Sequence, residues 1–265
     1  MNTPGLTNDV VFHHIMKTAG TTLARLLETV YGASRMCPLP LYEGADKTAF
    51  LEGVADPAPR IFTGHPQEHF DLWARIRQRP GPKTSIAFLR SPADRVLSCY
   101  HFIRDSRFVR KNVGAFDLSL TEALESNDPR MADNMMTKVL ASLGEPRDYA
   151  VPAAPQDLKR ALANLARMDL IGIMEEFDLS YALAAAKLGF IPPPVVKWNV
   201  NPNKTRTGEL PKETLALIVR KNVFDFELYA FAKTLFESRV AEAGESLEPL
   251  IRSIRQAPRT YFTNI

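Results

Sequence analysis

From Ile15 to Thr22 the chain reads Ile-Met-Lys-Thr-Ala-Gly-Thr-Thr, one lysine set among small residues. Small residues let a backbone curl until successive N–H groups point inward, and a helix that follows adds its own unpaired N–H groups and the positive end of its dipole. Such a curl holds a phosphate-like anion. Lys17 would bring an ammonium to the charge, and Thr18, Thr21 and Thr22 would add hydroxyl donors. Ala19 and Gly20 keep the turn free of bulk. The same residues also fit an ordinary strand-to-helix turn with Lys17 in solvent. A Walker A loop fits less well: it needs a glycine five positions before the lysine, where Phe12 stands, although Thr18 supplies its hydroxyl residue.

The flanking residues predict how this loop is held. Val10 to Ile15 is a β-branched and aromatic run, and Leu23, Leu26, Leu27 and Val30 recur at helical spacing, so the order is strand, loop, amphipathic helix. Thr84 to Leu89 opens a second such unit, meeting Arg90, Ser91 and Pro92. Ser91 suits an N-cap, Pro92 the first helical position and Asp94 the first turn, and Val96, Tyr100 and Ile103 form an apolar stripe. Arg60 to Thr63 predicts a strand ending at Gly64 and His65, and Leu170 to Ile173 a fourth. Further helices are expected from Asp157 through Leu165 and around Tyr181 to Leu188, where Gly189 terminates the latter. A polar loop is expected over 199–210 and helical structure from Pro211 to about Ala241. Near-continuous apolar strands alternating with amphipathic helices predict an α/β fold, a P-loop-like parallel sheet flanked by helices on both faces. One domain over 1–265 is expected, with a substrate-side insertion at 105–135 and a charged tail at 242–265. In such sheets ligands bind beyond the carboxyl ends of the strands, where Lys17 and Arg90 both fall.

Two of these segments carry a family resemblance. The run His14 to Leu23 resembles the 5'-phosphosulfate-binding loop of the sulfotransferase superfamily, with Met16 in place of the usual proline. The segment Ile86 to Ile103, IAFLRSPADRVLSCYHFI, resembles the superfamily's 3'-phosphate motif, in which an arginine closes a strand and a serine follows eight residues later. Arg90 and Ser98 occupy those places, and Ser91, Arg95 and Ser98 are expected on one face of the helix, with Arg95 as a salt-bridge partner rather than a ligand. The family often has an acidic residue where Ser91 stands. Leu170 to Phe190 and Asn199 to Phe236 resemble later parts of the same fold, and Lys204, Thr205 and Arg206 fall where relatives carry a basic loop that closes over the nucleotide. The pattern is nearest to the heparan sulfate 2-O-sulfotransferases and related carbohydrate enzymes.

The resemblance implies 3'-phosphoadenylyl sulfate (PAPS) as sulfuryl donor, its 3',5'-bisphosphate product PAP, no metal, and an acceptor hydroxyl or amine on a carbohydrate or small molecule. In-line transfer needs charge stabilisation on the leaving phosphate oxygen and a base for the acceptor. Lys17 is the candidate for the first. His65 is the candidate base, since imidazole titrates near neutrality and Gly64-His65 resembles the Gly-His of the 2-O-sulfotransferase branch. Glu68 and His69 are nearby substitutes. His13 and His14 read as packing or supporting groups, and His101 as structural.

Composition narrows the alternatives. Thirty-three basic and 30 acidic residues leave a formal charge of +3 with no long run of one sign, unlike a nucleic-acid-binding tail. Met1 to Asp9 is polar, and no uncharged apolar stretch approaches the roughly 18 residues needed to span a bilayer. Two cysteines, Cys37 and Cys99, are too few for a disulfide framework and suit a reducing compartment, so a soluble cytoplasmic protein is expected. No cluster of His, Cys and carboxylates has metal-ligand spacing. The rival readings are a P-loop nucleotide kinase or NTPase, and a non-catalytic nucleotide or sulfated-glycan binding module. Arg107, Arg110 and Lys111 fit an anionic or sugar-like acceptor and equally a solvated loop, which leaves polysaccharide, lipid, peptide and small-molecule acceptors open.

Overall fold

The computed structural model describes residues 5–40, 46–65, 70–112, 114–126, 128–198, 205–258 and 260–262, with the backbone alone at 108, 112, 196–198, 261 and 262. The central strand is β1 (Asp9–His13), in which all five residues are buried. It is followed by α1 (Gly20–Tyr31), β2 (Met36–Pro38), α2 (Thr48–Ala55), β3 (Ile61–Gly64), α3 (Phe70–Gln78), β4 (Lys83–Leu89) and α4 (Pro92–Asp105). Past α4 come α5 (Arg107–Asn112), α6 (Leu120–Glu125), α7 (Met135–Ser142), α8 (Pro155–Ala166), β5 (Leu170–Ile173) and α9 (Phe177–Leu188). The chain then forms β6 (Val196–Trp198), α10 (Lys212–Lys221), α11 (Val223–Ala243), α12 (Glu248–Gln256) and β7 (Thr260–Phe262).

The main sheet has the order β2-β3-β1-β4-β5, and every pair in it is parallel. Its strands read as continuous apolar runs because both faces are covered. Val10 and Phe12 enter the larger core with Leu23 and Leu27 of α1, while Val11 enters a smaller one with Leu72, Trp73 and Ile76 of α3. The expected α/β sheet with helices on both faces is what forms. Strand β2 escapes sequence reading because it is three residues long and ends in Pro38, which an edge strand tolerates since its missing N–H interrupts no ladder. Strands β6 and β7 pair as a second small parallel sheet, equally short.

Two segments gain detail that the sequence does not show. The expected helical stretch from Pro211 to Ala241 forms as two helices, broken at Asn222. The Asn222 side chain donates to the Ile218 carbonyl at 2.9 Å and accepts from the Asn134 N–H at 3.1 Å. Asn134 in turn accepts from the N–H groups of Phe224 and Asp225, and the Asp225 carboxylate accepts from those of Met136 and Thr137. The starts of α7 and α11 thus cap each other, a pairing between residues about 90 positions apart that periodicity does not reveal. Arg107 and its neighbours are also not a plain loop. The helices α5 and α6 and a 3₁₀ turn (Pro129–Met131) bury Val109, Phe116, Leu124 and Met131 against Val96, Cys99 and Tyr100 of α4. This segment buttresses the helix that follows Arg90.

Candidate active site

The chain leaves β1 toward one edge of the sheet, where β2 and β3 lie, and leaves β4 toward the other, where β5 lies. The loops after β1 and β4 therefore part above adjacent strand ends and leave a crevice between them. Lys17 rises on one side and Arg90 on the other. Arg90 crosses the gap: its Nη1 donates to the Lys17 carbonyl at 3.2 Å, and the side chain is buried. Burial lowers the pKa of Arg90 from its usual value, while Asp94 and Glu175 support its charge.

The curl after β1 is held from inside as well. Lys17 and Ala19 sit in the left-handed region at φ 71° and 72°, a conformation that costs a non-glycine residue roughly 1–2 kcal/mol. The buried Thr18 hydroxyl donates to the Ile15 carbonyl at 2.9 Å, which fixes the turn and turns that hydroxyl away from a ligand. The N-cap position of α1 is Ala19, whose side chain makes no capping bond. Thr21 and Thr22 lie in its first turn, with Thr22 buried. The Lys17 ammonium lies 4.2 Å from the centre of the Phe102 ring on α4.

Across the crevice, α4 is anchored by a residue that sequence reasoning passes over. Glu175, just beyond β5, accepts from the Ser91 N–H at 2.9 Å and from the Tyr229 hydroxyl at 2.8 Å. Ser91 does occupy the N-cap position, yet its hydroxyl makes no capping bond. Ser98 is half-buried on the next turn. Arg95 is turned into the protein, Nε 4.0 Å from the fully buried Asp225 carboxylate, an ion pair that fits the salt-bridge role expected of it. The only sequence signal for Glu175 is an acidic pair, Glu175-Glu176, directly after an apolar strand.

The basic loop named from sequence reaches α4. The Thr205 N–H donates to His101 Nε2 at 3.3 Å, and the Thr207 hydroxyl bonds the Asp94 carboxylate. Arg206 is exposed, and Lys204 lies outside the described residues, as do Glu68 and His69. His101 thus has the structural role expected of it, as an anchor for the 205–209 segment.

His65 follows β3, and its Nδ1 lies 2.9 Å from the His14 carbonyl. A carbonyl only accepts, so Nδ1 carries the proton and Nε2 is left with its lone pair. Burial first, then Lys17, lowers the His65 pKa below 6.5, opposed by that backbone bond. An imidazole so placed is neutral near pH 7 and able to take a proton. Among the described residues no three His, Cys, Asp or Glu side chains gather as a metal site, and no helix is long and apolar enough to cross a membrane. Cys37 and Cys99 are free and buried.

A sequence model of the Sulfotransferase family matches residues 6–232. The chain belongs to the sulfotransferase family. The matched span of this sulfotransferase takes in the Lys17 loop, Gly64-His65, Arg90 through Ser98 and the 205–209 segment, and ends within α11. Among solved structures it is similar to mouse sulfotransferase SULT7A1 complexed with PAP, at 17% identity and a TM-score of 0.45, covering 83% of this chain and 66% of that one. It is thus just under two thirds the span of the mouse protein. A sulfotransferase from Alicyclobacillus acidocaldarius is similar at 15% identity and a TM-score of 0.47, covering 87% of this chain and 96% of that one. No curated protein matches the sequence.

Proposed function

We propose that this sulfotransferase moves a sulfuryl group from PAPS to an acceptor hydroxyl or amine on a carbohydrate or small molecule. The observation that carries the reading is the Arg90 bridge to the Lys17 carbonyl, which ties two strand-end anion cradles into one crevice. A donor with phosphate at both its 5' and 3' positions needs two such cradles. The loop 17–22 and the leading N–H groups of α1 take the 5'-phosphosulfate, and Arg90 with Ser98 takes the 3'-phosphate. Thr205 and Arg206, with Lys204 beside them, close over the nucleotide from α4.

Transfer breaks the bond between sulfur and the 5'-phosphate oxygen and forms one between sulfur and the acceptor. Negative charge grows on the leaving phosphate oxygen, where the Lys17 ammonium stabilises it more in the transition state than in the ground state. His65 Nε2 takes the acceptor proton. The two buried free thiols favour a reducing, cytoplasmic setting. Calorimetric titration with PAP, AMP and magnesium-ATP tests the assignment. PAP should bind much more tightly than AMP. Equal affinity for PAP and AMP, or preference for magnesium-ATP, contradicts it.

A further inference from the structure

Gly20 opens α1, yet it is not among the glycines with positive φ, so no left-handed backbone calls for glycine there. Its reason is steric. A Cβ at Gly20 would lie 1.8 Å from Cδ2 and 2.1 Å from Nε2 of His14, so the imidazole edge of His14 rests where a side chain would be. The other neighbours of that ring are equally definite. Phe12 stacks on it at 5.6 Å with planes 9° apart, and His65 lies against it at 4.3 Å between ring centres. The backbone carbonyl of the same residue receives the His65 Nδ1–H. One residue therefore holds the candidate base twice, by its carbonyl and by its ring.

Resting on the sulfotransfer reading given above, the geometry points to His14 as the positioning residue for His65, its ring the platform that aims Nε2 and Gly20 the clearance that admits the platform. The setting also keeps the base neutral. Burial and the Lys17 ammonium disfavour a positive charge on His65, against the bond to the His14 carbonyl, which favours it. His14 is itself held well below the usual histidine range, by burial first and then by His65 and Lys17. The pair stays neutral, and the His65 lone pair stays available as pH falls toward 6.5. Gly20 thus serves the base as well as the anion cradle.

Imidazole ¹⁵N NMR on the full chain reads this without an acceptor, because there are five histidines to assign by single replacements. In the wild type His65 should hold the Nδ1–H tautomer and titrate below 6.5. His14→Phe keeps a flat ring, the backbone carbonyl and the burial, so the tautomer and a His65 midpoint below 6.5 should both persist. His14→Ala removes the ring: the midpoint should rise and the tautomer should become mixed. Gly20→Ala should reproduce His14→Ala, since its methyl expels the ring. An unchanged His65 tautomer and midpoint in His14→Ala and Gly20→Ala overturns the assignment, as does loss of the Nδ1–H tautomer in His14→Phe, which decides it if either alanine variant fails to fold. PAP calorimetry on the same samples is independent. Loss of PAP preference in the wild type sinks the donor-site reading whatever the imidazoles do, whereas normal PAP binding with unmoved imidazoles sinks only the role of His14.

Discussion

Arg90→Ala removes two contacts at once, and PAP and AMP separate them. The guanidinium donates to the Lys17 carbonyl at 3.2 Å, and in the proposed complex it also meets the 3'-phosphate. Both nucleotides depend on the first contact, because it braces a loop that holds Lys17 and Ala19 in the left-handed region. Only PAP has the second. A charge-assisted hydrogen bond contributes about 1.5 to 3 kcal/mol, so the ratio of PAP to AMP affinity should fall by about 10- to 160-fold. Ser98→Ala, which removes a neutral donor of about 1 kcal/mol, should lower the same ratio only about fivefold. Arg90→Lys should recover part of the ratio at most, since an ammonium lacks the fork that serves carbonyl and phosphate together. Isothermal calorimetry with both nucleotides on each variant gives the ratios directly. If Arg90→Ala weakens PAP and AMP by the same factor, the residue is a brace alone and the 3'-phosphate lies elsewhere.

Three further outcomes follow from residues already placed. His65→Ala should lower turnover by about 10² to 10⁴ with PAP affinity retained, and should abolish the acidic limb of the pH profile, whose midpoint lies below 6.5 in the wild type. Retention of both rate and limb refutes its role as base. Burial moves His13 from 6.5 to about 4, so between those values the unfolded chain binds protons that the folded chain does not, and stability falls as pH falls. At about 1.4 kcal/mol per pH unit this amounts to about 3 kcal/mol, and urea unfolding at neutral and acid pH should show His13→Phe with a much flatter dependence than the wild type. Asn134→Ala strips the N–H groups of Phe224 and Asp225 of their acceptor, which should cost about 2 kcal/mol in urea unfolding. A change within error would show that water replaces the cap.

What the sequence made legible was local. The Lys17 loop is contiguous, the strands at β1, β3, β4 and β5 are apolar on both faces, and the Arg90-to-Ser98 spacing lies within one strand-to-helix junction. Contacts that join distant segments left no such mark. The Glu175 anchor reaches Ser91 across 84 positions, and the reciprocal caps at Asn134 and Asp225 join helices whose individual periodicity is ordinary. Gly20 shows the subtler failure. A small residue in a curled loop suggests backbone freedom, whereas Gly20 leaves room for the ring of His14. Arg95 reads from sequence as a salt-bridge partner, but its partner, Asp225, stands on another helix about 130 positions on, which local spacing does not reveal.

The measurement closest to the central claim is single-turnover transfer of radiolabelled sulfate from PAPS to a panel of carbohydrate and small-molecule acceptors, with PAP quantified alongside. Label should appear on an acceptor with one PAP formed for each group moved, and Lys17→Ala should slow that step by a larger factor than it weakens PAP binding. Label that stays on PAPS across the panel while magnesium-ATP is hydrolysed, or transfer that proceeds undiminished without Lys17, would contradict the account.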